Sequence, residues 1–269
     1  MRTLVLTIVA LLLADQATAQ QSEVQPTTPP DVVVKGERPL TKEERKIAPK
    51  GFSAPGYDPD NTITFYEGAL GAARCATSGP LFDVAALRAV VDGEFNSSAH
   101  DRQMSLLIRK TATCGMGSQT VAYLSDPFPA SEREMGIMYR GAFMLRALQT
   151  FAPDLVLTRE QLADPAVQQR FRDREAPRNR RRIATDISYL KVATCFVQRD
   201  PDSTRRIVNT AGRSELYRIS VRMIDRHREC VGGAPRVYMD WLQFRLYIAD
   251  ATYRWALAVR NVGSLIPAG

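Results

Sequence analysis

The most reactive side chains of this 269-residue sequence are its four cysteines: Cys75, Cys114, Cys195 and Cys230. A cysteine can act as a nucleophile, bind a metal or form a disulfide. Nucleophilic catalysis needs a base held close to the thiol, and the only histidines are His100 and His227. Zinc sites are typically built from C-x2-C pairs, which the sequence lacks. These patterns predict disulfides, and no catalytic or metal-binding cysteine.

Three acidic residues could instead perform acid/base catalysis: Glu67, Asp186 and Asp250. Two carboxylates with different pKa values can serve as the acid and the base of a hydrolase. Arginines such as Arg245 and Arg254 are close to Asp250 in the sequence, which favours a salt-bridged structural role. No G-x-S-x-G serine motif and no glycine-rich phosphate loop occurs. We therefore predict no catalytic residue and no cofactor, with a carboxylate-pair hydrolase as the alternative.

A basic cluster at residues 170–182 follows the middle of the chain, and six of its seven arginines are candidates for anion docking: Arg170, Arg174, Arg178, Arg180, Arg181 and Arg182. The formal net charge is +7, and arginine supplies most of the 36 basic residues. The planar guanidinium group grips carboxylates and phosphates with paired hydrogen bonds. We interpret residues 151–182 as a basic helical connector and its arginines as a candidate anion-docking patch. A solvated connector is the other interpretation.

The first residues predict that the protein is exported. Arg2 precedes an apolar run, Leu4–Ala14, and a triplet of small residues follows at 17–19. This order is typical of a secretory signal peptide, here residues 1–19 with cleavage before Gln20. The apolar run is shorter than the roughly 20 residues of a membrane span. We expect a periplasmic or secreted protein without a transmembrane segment, whose partners are envelope proteins, anionic lipid or lipopolysaccharide and not nucleic acid.

Residues 20–60 form a separate segment that is rich in proline and poor in aromatic residues. Such a composition cannot bury enough apolar surface to fold, so we expect a flexible leader. Within it, DVVVKGERP at 31–39 resembles the short box with which outer-membrane receptors add a strand to the energy-transducing protein TonB. Val32, Val33 and Val34 would then form a strand-addition box. A plain linker is the other interpretation.

Apolar residues after the leader recur at steps of three and four, which is typical of helices. Asp164-Pro165 and Asp200-Pro201 each predict a helix start, with aspartate as the N-cap and proline in the first turn. Ser131 and Glu134 form a candidate capping box. The last segment, from Trp241, places its apolar residues on one stripe. We predict an all-α fold of about eight helices.

The two halves of this helical region align with each other, which predicts an internal duplication. The aligned pairs include Cys75 with Cys195, Cys114 with Cys230, Tyr66 with Asp186, and Arg140 with Arg245. Each predicted unit holds four helices, over residues 61–150 and 183–263, and residues 264–269 form a tail. In each unit a cysteine ends the first and the third helix, so the third helix of the second unit is predicted to end at Cys230. Equivalent disulfides in the two units are Cys75–Cys114 and Cys195–Cys230. Each would stabilise the fold by about 3 to 4 kcal/mol.

The second unit also carries a family resemblance. CFVQRDP begins at Cys195, Arg205 and Ile207 follow, and then come Cys230 and the closing stretch FRLYIADATYR. With these residues the sequence resembles a group of exported, cysteine-containing helical proteins of sphingomonad-type alphaproteobacteria. The resemblance spans residues 60–260. The group has no assigned activity, so the resemblance implies a helical fold and export, but no function.

Together these features predict a non-enzymatic exported scaffold or binding protein. Its ligand would be an envelope protein or an anionic envelope component. The alternative is a cofactor-free hydrolase that acts on envelope material with the carboxylate pair. A concave pocket that holds carboxylates of raised pKa would favour the hydrolase. A basic or apolar surface patch would favour the binding protein.

Overall fold

A computed structural model of the chain describes residues 59–78, 82–111, 132–234, 237 and 240–268. The predicted signal peptide, the predicted strand-addition box Val32–Val34 and Cys114 lie outside these residues. The described part of the chain is all-α, as predicted, and contains no strand.

The described residues form ten α-helices and one 3-10 helix. They are α1 (Pro59–Thr77), α2 (Val84–Asp92), α3 (Ser98–Thr111), α4 (Glu132–Phe151), α5 (Arg159–Ala163), α6 (Pro165–Arg178), α7 (Ala184–Arg199), α8 (Pro201–Asn209), α9 (Arg213–Arg226), the 3-10 helix Arg228–Val231 and α10 (Trp241–Arg260). The number exceeds the predicted eight because the connector forms two helices of its own, α5 and α6. Helix α1 includes the last two residues of the predicted leader, residues 59 and 60.

Two helix starts follow the Asp-Pro pattern. Asp164 accepts a backbone N–H of the first turn of α6 at 2.7 Å, and Pro165 is the first helical residue. Asp200 does the same for α8 at 3.0 Å, ahead of Pro201. Each carboxylate satisfies an amide that the first turn of a helix leaves without a partner. The candidate capping box at Ser131 lies outside the described residues.

Helix α10 lies at the centre of the core. Every residue from Phe244 to Ala258 is buried, and the helix packs against α4, α6, α7 and α8. The predicted apolar stripe is buried, but so are Arg245, Asp250 and Arg254 on the same helix. Buried charges are costly unless they find partners. The surrounding helices must therefore supply polar groups to α10.

The predicted disulfide between Cys195 and Cys230 is present, with Cα atoms 5.5 Å apart. We expected Cys230 to end one continuous helix. Helix α9 instead ends at Arg226, and Cys230 lies in the 3-10 helix that follows. Gly232 then turns the chain with a φ of 66°, a conformation that glycine adopts without strain. Cys75 is also disulfide-bonded, and its predicted partner lies outside the described residues.

The helices follow the order expected for two related units. Helices α2 and α8 have 9 residues each, and each begins after an aspartate N-cap, Asp83 or Asp200. Helix α1 packs against α4 as α7 packs against α10, and α4 packs against α10 between the two sets. The duplication stays a prediction from the sequence, and these lengths and contacts agree with it.

Candidate functional site

Asp186 and Asp250, two of the three candidate carboxylates, meet inside the protein. Arg182 binds both, with Nη1 3.0 Å from Asp186 Oδ1 and Nη2 2.6 Å from Asp250 Oδ2. Arg140 donates to both oxygens of Asp186, at 3.0 and 3.1 Å. Arg254 donates to Asp250 Oδ1 at 2.9 Å. All five residues are buried, and we call them the buried charge cluster.

The ring of Phe95 packs against the arginines of this cluster. It lies 4.3 Å from the guanidinium carbon of Arg140, 4.2 Å from that of Arg182 and 4.7 Å from that of Arg254. A cation over an aromatic face is attracted by the electron-rich ring. Each of the three arginines thus binds an aspartate and contacts this ring. These contacts indicate a structural role for the cluster.

The buried charge cluster is poorly suited to acid/base catalysis. Burial alone would raise the pKa of Asp186, but the charges of Arg140 and Arg182 outweigh it, so the pKa lies below its usual range. A general acid needs a pKa near the working pH and contact with the substrate, and the buried Asp186 has neither. Glu67, the third candidate, lies elsewhere on α1 and pairs with Arg213. The structure does not bring the three carboxylates together.

The predicted anion-docking arginines of the connector have partners within the protein. Arg170 and Arg174 donate to backbone carbonyls at the C-terminal end of α10, at 2.9 and 3.0 Å. These carbonyls belong to the last turn of α10, and that of Leu257 also accepts the backbone N–H groups of Asn261 and Val262. Phe171, between the two arginines, stacks on Trp255 with ring centroids 4.0 Å apart. Arg182 belongs to the buried charge cluster. Arg170 and Arg174 therefore attach α6 to α10.

The other three arginines of the patch lie near the end of α2. Arg178 donates to the backbone carbonyl of Asp92 at 2.8 Å. Arg180 and Arg181 are exposed, and both pair with Glu94, at 3.0 and 3.2 Å. Anion docking at these two residues stays a prediction, and an external anion would have to compete with Glu94 for them.

A cleft of about 470 Å³ lies between α1, α4 and the N-terminal ends of α9 and α10. Its walls are Tyr66, Glu67, Leu70, Arg74, Leu145, Arg146, Gln149, Ala211, Arg213, Leu216, Trp241, Leu242 and Arg245. On α1, α4 and α10 these residues recur at steps of one, three and four. Each of these helices therefore contributes one face to the cleft. The walls contain four arginines and one glutamate. We call this site the arginine cleft.

Arg245 is the buried cation of the arginine cleft, at 7% exposure. Its Nη1 donates to the Tyr66 hydroxyl and its Nη2 to the Val208 carbonyl, both at 2.9 Å. Its Nε is buried without a hydrogen-bond partner, and no carboxylate of the described residues pairs with it. Burial raises the pKa of Tyr66, so the hydroxyl stays neutral at pH 7. Arg245 thus lacks a counter-ion within the described part of the protein.

Three further arginines add positive charge to the cleft. Arg213 pairs with Glu67 at the surface, Arg146 is half-buried and Arg74 is exposed. Helix α9 begins after Gly212, which offers no side chain to cap it. The free N–H groups of a first helical turn carry partial positive charge. The site therefore presents a net positive field to a ligand.

Other places in the described part of the chain are weaker candidates for a binding site. A cavity beside Leu148 and Val208 measures about 20 Å³, which is about the room of one water molecule. Among the described residues, no group of three or more His, Cys, Asp or Glu side chains could hold a metal ion. No described helix has both the length and the apolar character needed to cross a membrane.

Sequence reasoning missed the arginine cleft because its cations come from separate segments that only tertiary packing brings together. One signal in the sequence could have indicated it. The duplication aligns Arg140 with Arg245 but Asp186 with Tyr66, so the partner carboxylate of one arginine is absent from the other unit. The sequence interpretation treated Asp186 as a catalytic candidate and Arg245 as a salt-bridged structural residue.

Comparisons with known proteins give no relatives: no family model matches the chain, and no curated protein or solved structure matches it significantly. The resemblance to exported sphingomonad proteins stays a prediction. The function must be argued from the arginine cleft itself.

Proposed function

We propose that the protein binds an anionic ligand in the arginine cleft. The observation that carries this proposal is that Arg245 lines the cleft without a carboxylate partner among the described residues. Two hydrogen bonds, to Tyr66 and Val208, hold the guanidinium group in place. An unpaired buried charge is costly, and a ligand anion at this point would remove that cost.

The remaining walls of the cleft indicate what else the ligand contains. They include Leu70, Leu145, Leu216, Leu242 and the half-buried Trp241. Small-molecule sites are mainly apolar, with a few polar groups that fix the orientation of the ligand. The ligand is therefore an amphipathic anion, with a carboxylate or phosphate head and an apolar body.

Such a ligand agrees with the predicted exported protein that binds an anionic envelope component. The disulfide between Cys195 and Cys230 is of the kind that forms and persists in oxidising compartments. The hydrolase has less support, because Glu67 is the only carboxylate among the described residues that line the cleft. An acid/base pair would need a second one.

Calorimetric titration with three dodecyl amphiphiles, each below its micelle-forming concentration, tests the proposal. We expect dodecanoate and dodecyl phosphate to bind to the wild-type protein and dodecyltrimethylammonium not to bind. Arg245→Gln should weaken binding of the two anions by about 10- to 100-fold, because a hydrogen bond to a charged group contributes about 1.5 to 3 kcal/mol.

Two further variants make this test specific. Arg222→Gln removes the same charge from an exposed site on α9 outside the cleft, and it should bind like the wild-type protein. Arg74→Gln changes an exposed cleft residue without touching the core, and it should weaken binding by about threefold. Equal binding of the cationic amphiphile, or wild-type affinity in both cleft variants, would contradict the proposal.

A further inference from the structure

Two arginines of the arginine cleft are fixed at different heights along α1. Arg245 Nη1 donates to the Tyr66 hydroxyl at 2.9 Å, and Arg146 Nε donates to the Thr77 hydroxyl, also at 2.9 Å. Tyr66 and Thr77 are about three helical turns apart, or about 16 Å along the helix axis. Helical side chains lean towards the N-terminus, so the Tyr66 hydroxyl does not approach Thr77. The two guanidinium groups therefore mark two ends of the cleft.

The end at Arg146 offers free donors to a ligand. The hydrogen bond to Thr77 uses only Nε of Arg146, and a guanidinium group has four further N–H donors on Nη1 and Nη2. Arg146 is half-buried and lines the cleft, and no carboxylate of the described residues pairs with it. The exposed Arg74 lines the same end, less than one helical turn before Thr77. This end thus holds two arginines and, among the described wall residues, no acidic group.

The end at Arg245 also keeps an excess of positive charge. Glu67 lies next to Tyr66 on α1 and pairs with Arg213 at the surface. These two charges cancel, and Arg245 has no carboxylate partner among the described residues. Each end of the cleft therefore attracts an anion independently of the other.

An apolar wall separates the two ends. Tyr66, Leu70 and Arg74 follow each other at four-residue steps, which places them on one face of α1, and all three line the cleft. The half-buried Leu70 is thus the middle residue of this row. Leu145 of α4 and Leu216 of α9 add buried apolar walls. Such a wall accepts hydrocarbon, whereas a charged group placed there would lose its hydrogen bonds to water.

We propose that the ligand carries two anionic groups joined by an apolar segment, and that the arginine cleft binds both groups at once. One group binds beside Arg245 and the other beside Arg146 and Arg74. This inference rests on the proposed function, since it names the class of ligand for the same cleft. The arginines accept carboxylate and phosphate alike, so the shared feature is an anion at each end of a hydrocarbon chain.

Calorimetric titration with dodecanoate and dodecanedioate tests this inference, because the two probes differ only in the second carboxylate. We expect dodecanedioate to bind to the wild-type protein at least about 10-fold more tightly, since its second carboxylate accepts hydrogen bonds from a charged group. A cleft with one cationic end would show the opposite order, because the second carboxylate would be buried without a partner. Hexanedioate should bind more weakly than dodecanedioate, since its carboxylates are less than half as far apart.

Two substitutions at the second end locate the effect. In Arg146→Gln, dodecanedioate should bind within about threefold of dodecanoate, because the second carboxylate loses its main donor. Arg74→Gln should reduce the preference for dodecanedioate by about threefold, as expected for an exposed charge. Arg222→Gln, outside the cleft, should keep the full preference. Urea unfolding of each variant confirms that the protein tested is folded.

The possible results separate this inference from the proposed function. A parallel titration compares dodecyl phosphate with the bisphosphate of the same chain, and a preference for two anionic groups in either series supports the inference. If both doubly anionic probes bind no more tightly than their singly headed counterparts, the inference is overturned and the proposed function stands. A preference that persists unchanged in Arg146→Gln has the same consequence. If the wild-type protein binds none of the four amphiphiles, both fail.

Discussion

Replacing Arg182 with methionine is expected to lower the free energy of unfolding by about 3 to 5 kcal/mol. The Arg182 side chain is fully buried and binds Asp186 and Asp250 at once. Methionine is similar in length but carries no charge, so the variant leaves two buried carboxylates with fewer partners. Removing one member of a buried ion pair costs more than the pair itself contributes, because the remaining charge is left unpaired.

The adjacent residue provides the matched control for this experiment. Arg181 is exposed and pairs with Glu94 at 3.2 Å, and exposed ion pairs contribute at most about 1 kcal/mol. Arg181→Met should therefore change the free energy of unfolding by less than about 1 kcal/mol, measured by urea denaturation. Similar losses in Arg181→Met and Arg182→Met would contradict the buried charge cluster.

Removing the disulfide between Cys195 and Cys230 should have the next largest effect. The double variant Cys195→Ala, Cys230→Ala opens a loop with a sequence separation of 35. A chain-entropy estimate for such a loop gives a loss of about 3 to 4 kcal/mol. The urea m-value should rise in the variant, because its unfolded chain is less compact and exposes more surface.

Ser188→Ala is the control for this variant. Ser188 is exposed on α7, the helix that carries Cys195, and surface substitutions of this kind change stability by about 0.5 kcal/mol or less. A double cysteine variant that is as stable as Ser188→Ala would show that the bridge does not constrain the unfolded chain. It would contradict the stabilising role assigned to this disulfide, which joins α7 to the 3-10 helix after α9.

Local signals in the sequence predicted much of this fold. Asp164-Pro165 and Asp200-Pro201 start helices because cap and proline chemistry depend only on neighbouring residues. The cysteine at 195 was paired correctly with Cys230 because the two halves of the sequence align. The end of α9 was misplaced, since Gly232 and the 3-10 helix before it form a turn that the helical spacing does not reveal.

The candidate site depended on information that local patterns do not contain. Asp186 and Asp250 were candidate catalytic groups until the structure placed Arg182 between them. Arg245 was assigned a structural role, but it lines a cleft and lacks a counter-ion within the described residues. Burial and pairing of charge are set by how helices pack, and α10 is surrounded by several helices at once.

A crystal structure of the wild-type protein with bound dodecanoate tests the central claim most directly. We expect a carboxylate oxygen to lie about 3 Å from a guanidinium nitrogen of Arg245, with the alkyl chain against Trp241 and the leucines of the arginine cleft. A carboxylate bound at the exposed Arg180 and Arg181, with the arginine cleft holding only water, would contradict it.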